Sequence, residues 1–231
     1  MKDNVLPLGK WEFDEEVTAS FSDMLNRSIP NYNVMRKLVF DLGSLYITPD
    51  SNVVDVGCST GLASEPFIKR FPNNKFHLLD VSPAMLKNCL DKFRGNDSVT
   101  VKFQDVTRGF DYKNTSLILS ILSIQFTPIE YRQQIIKDIY NSLNKGGAFI
   151  FVEKILGNGS EIDNLFVQEY YRLKMNHDYT RFQINAKKKS LEGVLVPLTA
   201  DWNVDLLHGA GFKKIDCFWR YLNFSGWIAI K

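Results

Sequence analysis

Asn52-Val53-Val54-Asp55-Val56-Gly57-Cys58-Ser59-Thr60-Gly61 is the stretch that decides the fold. Asn52 to Val56 is a short Val-rich run with the composition of a buried strand. A glycine turn follows at once, and Gly61 to Phe71 continues with helical spacing. Strand, tight turn and helix in this order turn backbone N–H groups and a helix N-terminus toward a ligand. The turn lacks the G-x-G-x-x-G spacing of the dinucleotide fingerprint. No G-K-[ST] follows, so it is not a P-loop either. Alone, it is weak evidence, and a purely structural turn is the competing reading.

The pattern repeats downstream. Lys75 to Leu79 reads as a second strand, and Ser82-Pro83 opens a helix to about Phe93, with Ser82 as N-cap and Pro83 at N1. Val99 to Phe103 is a third strand. Ser116 to Ile124 is a fourth, largely apolar as a strand buried on both faces is. Thr127-Pro128-Ile129-Glu130 has the form of a capping box and starts a helix to about Leu143. Lys145-Gly146-Gly147 turns the chain into a fifth strand, Ala148 to Glu153. Alternation of this kind specifies an α/β fold with a mainly parallel sheet. After a helix from Ala200 to Ala210, strands near Lys213 to Phe218 and Phe224 to Ile230 have only a short link, so they must be antiparallel. The expectation is five parallel strands plus a C-terminal antiparallel hairpin, with helices on both faces. Residues 11 to 46 read as an N-terminal helical extension. Residues 157 to 196 are too long for an ordinary loop and read as a helical lid inserted in one domain spanning 1–231.

Composition narrows the class. In 231 residues, 45% are hydrophobic and 23% charged, which excludes wholesale disorder. The formal charge of +2 gives no support to a nucleic-acid partner. Three widely spaced cysteines form neither a disulfide framework nor a metal clip, so no metal is expected. The start lacks the apolar run of a signal peptide, and no stretch approaches the roughly 20 residues of a membrane span. A cytoplasmic protein is the expectation.

Two carboxylates extend the argument. Asp80 ends the second strand roughly 20 residues beyond the glycine turn, where an acid accepts both hydroxyls of a ribose. Asp105 ends the third strand, where a carboxylate can meet an adenine amino group. Each also reads as a helix cap. Together with the turn, at three consecutive strand ends of one sheet, they point to an adenosine-type cofactor.

These features and the terminal hairpin resemble the class I S-adenosylmethionine-dependent methyltransferases, a Rossmann-like fold. The resemblance implies cofactor contacts at Gly57, Cys58, Ser59 and Gly61, at Asp80 with Val81, and at Asp105 with Val106. The usual middle glycine of the loop is Ser59 here. Within that class the chain resembles the carboxy-S-adenosylmethionine synthases, relatives of the tRNA wobble-uridine modification pathway. Trp11-x-Phe13-Asp14-Glu15, Asp23-Met24-Leu25-x-Arg27-Ser28-Ile29-Pro30-x-Tyr32, Ser82-Pro83-Ala84-Met85, Glu153-Lys154 and Leu191-Glu192 carry that likeness. It implies a cofactor contact at Tyr32 and a homodimer.

Two positions depart from that family. The arginine that holds the new carboxylate in it falls on Lys188, which keeps the charge but loses the bidentate fork. The family asparagine on the fourth strand falls on Ile121, a cofactor-lining position with no polar side-chain atom. The expectation is therefore an S-adenosylmethionine-dependent methyltransferase acting on a small molecule, an anionic one such as a keto acid included. The alternative is a carboxy-S-adenosylmethionine synthase using prephenate. A cofactor-binding protein without catalysis and direct tRNA modification are weaker readings. Tyr32, Tyr170, Tyr171, His177 and Glu153 are candidates to line the acceptor side, with no catalytic residue assigned.

Overall fold

The computed structural model describes residues 1–231. Helices α1 (Glu15–Ser28) and α2 (Tyr32–Ser44) precede β1 (Asn52–Val56), α3 (Glu65–Arg70), β2 (Lys75–Asp80), α4 (Pro83–Lys92) and β3 (Val99–Phe103). Then come β4 (Thr115–Ile121), α5 (Ile129–Ser142), β5 (Leu143–Leu156), α6 (Ser160–Asn176) and α7 (Arg181–Leu191). The two-residue β6 (Leu198–Thr199), α8 (Ala200–Ala210), β7 (Lys214–Tyr221) and β8 (Phe224–Ile230) complete the chain. The strand order is β3-β2-β1-β4-β5-β8-β7, with β6 beside β5. β1 to β5 run parallel, and β8 is antiparallel to both β5 and β7. This is the sheet expected from sequence.

Strand periodicity divides the core in two. Val54, Val56, Ile118, Phe149 and Phe151 face α5 and α8, where Ile135, Ile139, Leu206 and Leu207 cover them. Their neighbours Val53, Leu117, Leu119, Ile150 and Val152 face α2, α3 and α4 through Met35, Val39, Phe67 and Cys89. A smaller cluster of Val5, Trp11, Val17, Phe21, Met24 and Met85 seats the N-terminal segment and α1 against α4. The order reverses between β1 and β4, which opens a crevice at the carboxyl ends of those strands.

Local expectations fail in three places. The helix after the glycine turn is regular only from Glu65 to Arg70, because turns occupy residues 60–64. β4 stops at Ile121, where Leu122 adopts φ 60°, and Ile124–Phe126 is a single 3-10 turn. The capping box at Thr127 does not form. Thr127 Oγ1 donates to Ile124 O at 2.7 Å, and Pro128 is itself the N-cap of α5, with no side-chain cap.

The irregular segment 122–127 is fastened from below by a buried polar group of β5 and α5. Arg132 donates to Gln125 O at 3.0 Å and to Thr127 O at 2.9 Å, and Lys154 N donates to Gln125 Oε1 at 2.7 Å. Glu153 lies beneath, 2% exposed. Burial pushes its carboxyl up to about 8, against the pull of Arg132 and of the N–H groups at 123–125. An unfolded glutamate ionises near 4.3. Between those values the folded chain holds a proton that the unfolded chain has lost, so this group's contribution falls as pH rises from about 4.5 to about 8. Urea unfolding of the wild type should show that decline, and Glu153→Gln should flatten it. An unchanged slope in the variant would remove Glu153 as its source.

Candidate functional site

The turn after β1 takes its shape from residues that tolerate a left-handed backbone. Gly57, Ser59 and Gly61 have φ of 76°, 51° and 73°. A Cβ at Gly57 would stand 1.8 Å from Ser123 Oγ, so that position excludes any side chain. Ser59 is not glycine, and its strained backbone is held by Asp80 instead. Asp80 Oδ2 accepts from Ser59 N at 2.8 Å, while Oδ1 accepts from Val81 N at 2.8 Å and Ser82 N at 2.9 Å. Burial raises the Asp80 pKa, opposed by those three N–H groups. Beneath the turn, Asp55 is wholly buried and accepts from Ser64 Oγ at 2.6 Å, and burial lifts its carboxyl to about 6.

Two adjoining cavities open on this turn. The outer one, about 480 Å³, is bordered by Asp80, Val81, Asp105 and Val106. The inner one, about 160 Å³, is bordered by Cys58, Tyr32, Arg36 and Ile121. Gly57, Ser59, Phe13, Leu122 and Phe126 belong to both. Asp105 does serve as a cap, its Oδ1 accepting from Thr107 N at 3.0 Å and Thr107 Oγ1 at 2.7 Å. The Thr107 hydroxyl leads the effects that hold its pKa down. Gly61 borders neither cavity. It packs behind the turn, where a Cβ would meet Phe93 at 2.5 Å.

The inner cavity has an apolar wall and a charged end. Trp11, Phe13, Phe21, Met24 and Phe126 form the wall. Ser82 Oγ donates to Phe13 O at 2.6 Å, and Trp11 N to Ser190 O at 2.9 Å, which ties the N-terminal segment over the site. Arg36 donates to Tyr32 Oη at 3.1 Å and to Leu62 O, and its Nε is buried with no partner, as is Trp11 Nε1. Burial raises the Tyr32 pKa.

At the charged end stand Lys154, Lys174 and Lys187. Lys187 is neutralised by a buried ion pair with Asp3, which also accepts from Tyr179 Oη. Lys154 and Lys174 have no such partner. Their ammonium groups lie 5.0 Å and 5.5 Å from the Tyr170 ring centre. Burial drives Lys174 down to about 7, reinforced by Lys187 and Lys154. It drives Lys154 to about 8, partly offset by Asp163 and reinforced by Lys188.

Among the sequence candidates, Tyr170 joins Tyr32 at the inner cavity. Tyr171 and Lys188 border a third cavity of about 330 Å³ among α6, α7 and the end of β5. Lys188 borders neither of the other two. His177 is on the surface, its Nδ1 3.0 Å from Arg27 O, and Glu153 is sealed beneath the 122–127 segment. Arg36 and Lys174 were missed, and Lys154 was noted only within a family motif, because nothing local in the sequence brings α2, β5 and α6 together.

The comparisons with known proteins agree with this architecture. Residues 53–147 match the methyltransferase domain family. Human N-acetylserotonin methyltransferase, solved with S-adenosylmethionine, superposes with a TM-score of 0.61 over 94% of this chain at 16% identity. This chain spans 55% of that one. Fold and domain match thus place the chain in the class I methyltransferase fold. A carboxy-S-adenosyl-L-methionine synthase of Methylococcus capsulatus is 33% identical over 97% of this chain and 95% of its own length. One from Staphylococcus epidermidis is 35% identical over 96% and 97%. The chain belongs to the carboxy-S-adenosyl-L-methionine synthase family.

Removing the Asp80 carboxylate should weaken S-adenosylhomocysteine binding at least about a hundredfold, since the tie that shapes the turn at Ser59 goes together with the acceptor expected to meet the ribose. Calorimetric titration of Asp80→Ala reads this, and unchanged affinity would refute it. Gly57→Ala should cost more than about 1 kcal/mol in urea unfolding, because the residue needs positive φ and meets Ser123.

Proposed function

We propose that this enzyme transfers the methyl group of S-adenosylmethionine to a small acceptor that carries a carboxylate. The observation that supports it most is the pair Lys154 and Lys174, one half-buried and one buried lysine without a carboxylate partner at the cavity that the glycine turn opens onto. A carboxylate bound between them would favour the charged form that burial disfavours in both.

In this reading the outer cavity takes the adenosine. Asp80 accepts from the ribose hydroxyls, and Asp105 with the Val106 backbone meets the base. The methionine end passes Gly57, Cys58 and Ser59, and the unpartnered Nε of Arg36 supplies a donor for its α-carboxylate. The orphaned donors and the narrow turn suit that group. When bound, it supplies an activated methyl on a positive sulfur. That methyl would be available to a lone pair of the acceptor placed in line with the S–CH3 bond. What the chain does is align the two along that axis and exclude water. Ile121 and Leu122 offer the methyl group an apolar surroundings and nothing to hold a carboxylate on its carbon. Residues 1–231 act as one domain, with residues 11–46 and 157–196 closing over the site.

A second reading is synthesis of carboxy-S-adenosylmethionine, which the names of the relatives favour; there Lys154 and Lys174 would stand in for the family arginine. Mass spectrometry of the ligand that co-purifies separates the two. S-adenosylmethionine or S-adenosylhomocysteine, with turnover indifferent to prephenate, is the expected result. The carboxylated cofactor, or turnover that requires prephenate, would replace the first reading with the second.

We take the chain to be a homodimer, as the resemblance implies, and a cytoplasmic protein, and the formal charge of +2 gives no support to a nucleic-acid partner. No helix is long and apolar enough to cross a membrane. Sedimentation equilibrium should return twice the chain mass, and a monomer at micromolar concentration would contradict the dimer.

A further inference from the structure

The segment before α1 is fastened at two places and free between them. Asp3 is the first fastening and is wholly buried. Its carboxylate takes the Lys187 ion pair and the Tyr179 hydroxyl. Its N–H donates to Asp23 Oδ2 at 2.7 Å, and its carbonyl accepts from Arg27 Nη1 at 2.9 Å. One residue thus draws together α1, α7 and the turn between α6 and α7. The second fastening is Trp11 to Phe13. Trp11 N donates to Ser190 O, Ser82 Oγ donates to Phe13 O, and the Phe13 ring packs edge-on with Trp11, Phe21 and Phe126. Between the two, from Leu6 to Lys10, no backbone N–H is bonded within the protein. Leu8 is fully exposed there, and Gly9 faces open space.

Phe13 stands in the path of the cofactor. It borders both the outer and the inner cavity, together with Gly57 and Ser59, so a ligand that fills both passes under it. Such a ligand leaves only when the segment lifts. Asp3, in contrast, borders none of the three cavities, so whatever it does to a ligand it does through the segment it holds. A stretch with no ladder of backbone hydrogen bonds, held at two points, opens as a unit at a free energy well below that of unfolding.

We infer that residues 3–13 are a strap that opens to admit and release the cofactor, pivoting where Asp14 caps α1 and latched by Asp3. This rests on the reading in which one cofactor spans both cavities, and adds how it enters and leaves. Asp3 is then a positioning residue that sets how often the strap is open. Weakening the latch makes opening more frequent, so uptake and release quicken by the same factor and affinity is kept.

Rapid filtration of radiolabelled S-adenosylhomocysteine, with an unlabelled chase, reads both rates in the wild type and in Asp3→Asn. Each should rise at least about tenfold, as expected for the loss of one charge-assisted hydrogen bond, with Kd changed by less than about threefold. Faster release alone, with Kd weakened in proportion, would make Asp3 an ordinary stabilising contact and overturn the strap, as would unchanged rates. Hydrogen exchange in the wild-type protein is the second measurement and decides the matter if the variant does not fold. The Trp11 amide, bonded to Ser190 O, should exchange about a hundredfold more slowly with S-adenosylhomocysteine at about a hundred times its Kd, because ligand exit and amide exposure use the same opening. Exchange at Trp11 indifferent to bound S-adenosylhomocysteine would overturn the strap and leave the cofactor reading standing. No binding of S-adenosylhomocysteine to the wild type would overturn both.

Discussion

The Asp80 carboxylate ties the second strand to the turn after the first, and the site is arranged around it. Ser59 sits at φ 51°, a conformation that costs a residue with a Cβ, and its N–H is held by Asp80 Oδ2 at 2.8 Å. The other oxygen accepts from Val81 and Ser82 as the chain enters α4. One half-buried acid therefore positions the turn, the start of a helix and the rim of the outer cavity at once. The sheet supplies the register: β1 and β2 pair in parallel from Asn52 with Lys75 to Val56 with Leu79, which brings Asp80 level with the turn.

The second constraint is electrostatic and acts from the opposite side. Glu153 and Lys154 are adjacent on β5, one directed beneath the 122–127 segment and the other toward the inner cavity, as strand alternation requires. The acid is shifted up and the base down, both chiefly by burial. Helix α6 adds Lys174, and α7 adds Lys187 with its own buried counterion at Asp3. Three lysines at one cavity with a single neutralising carboxylate leave a positive site, which is the basis for assigning an anionic acceptor.

Much of the frame was readable in the sequence because it follows from short-range rules. Ser82 does cap α4, its side chain accepting from Met85 N, and Gly211 does end α8 in a left-handed conformation. The parallel strands and terminal hairpin followed from apolar runs and link lengths. The start of α5 was misread because Thr127 spends its hydroxyl on Ile124 O, a choice fixed by the 3-10 turn before it. Asp80, Asp105, Tyr32 and Ile121 border the two cavities at the turn, whereas Gly61 is packed behind the turn and Lys188 borders only the third cavity. Arg36, Lys154 and Lys174 meet only through tertiary packing, so no spacing rule reveals them. Trp11 and Phe13 stood in a family motif, but their place over both the turn and α7 needed the fold.

A crystal structure of the complex with S-adenosylhomocysteine tests this account most directly. It should show the ribose hydroxyls within hydrogen-bond distance of Asp80 and the adenine beside Asp105. The homocysteine carboxylate should be on Arg36, with the sulfur facing Ile121 and the lysine end of the inner cavity. Adenosine bound outside the crevice between β1 and β4, or a ribose that leaves Asp80 with only its backbone partners, would contradict it.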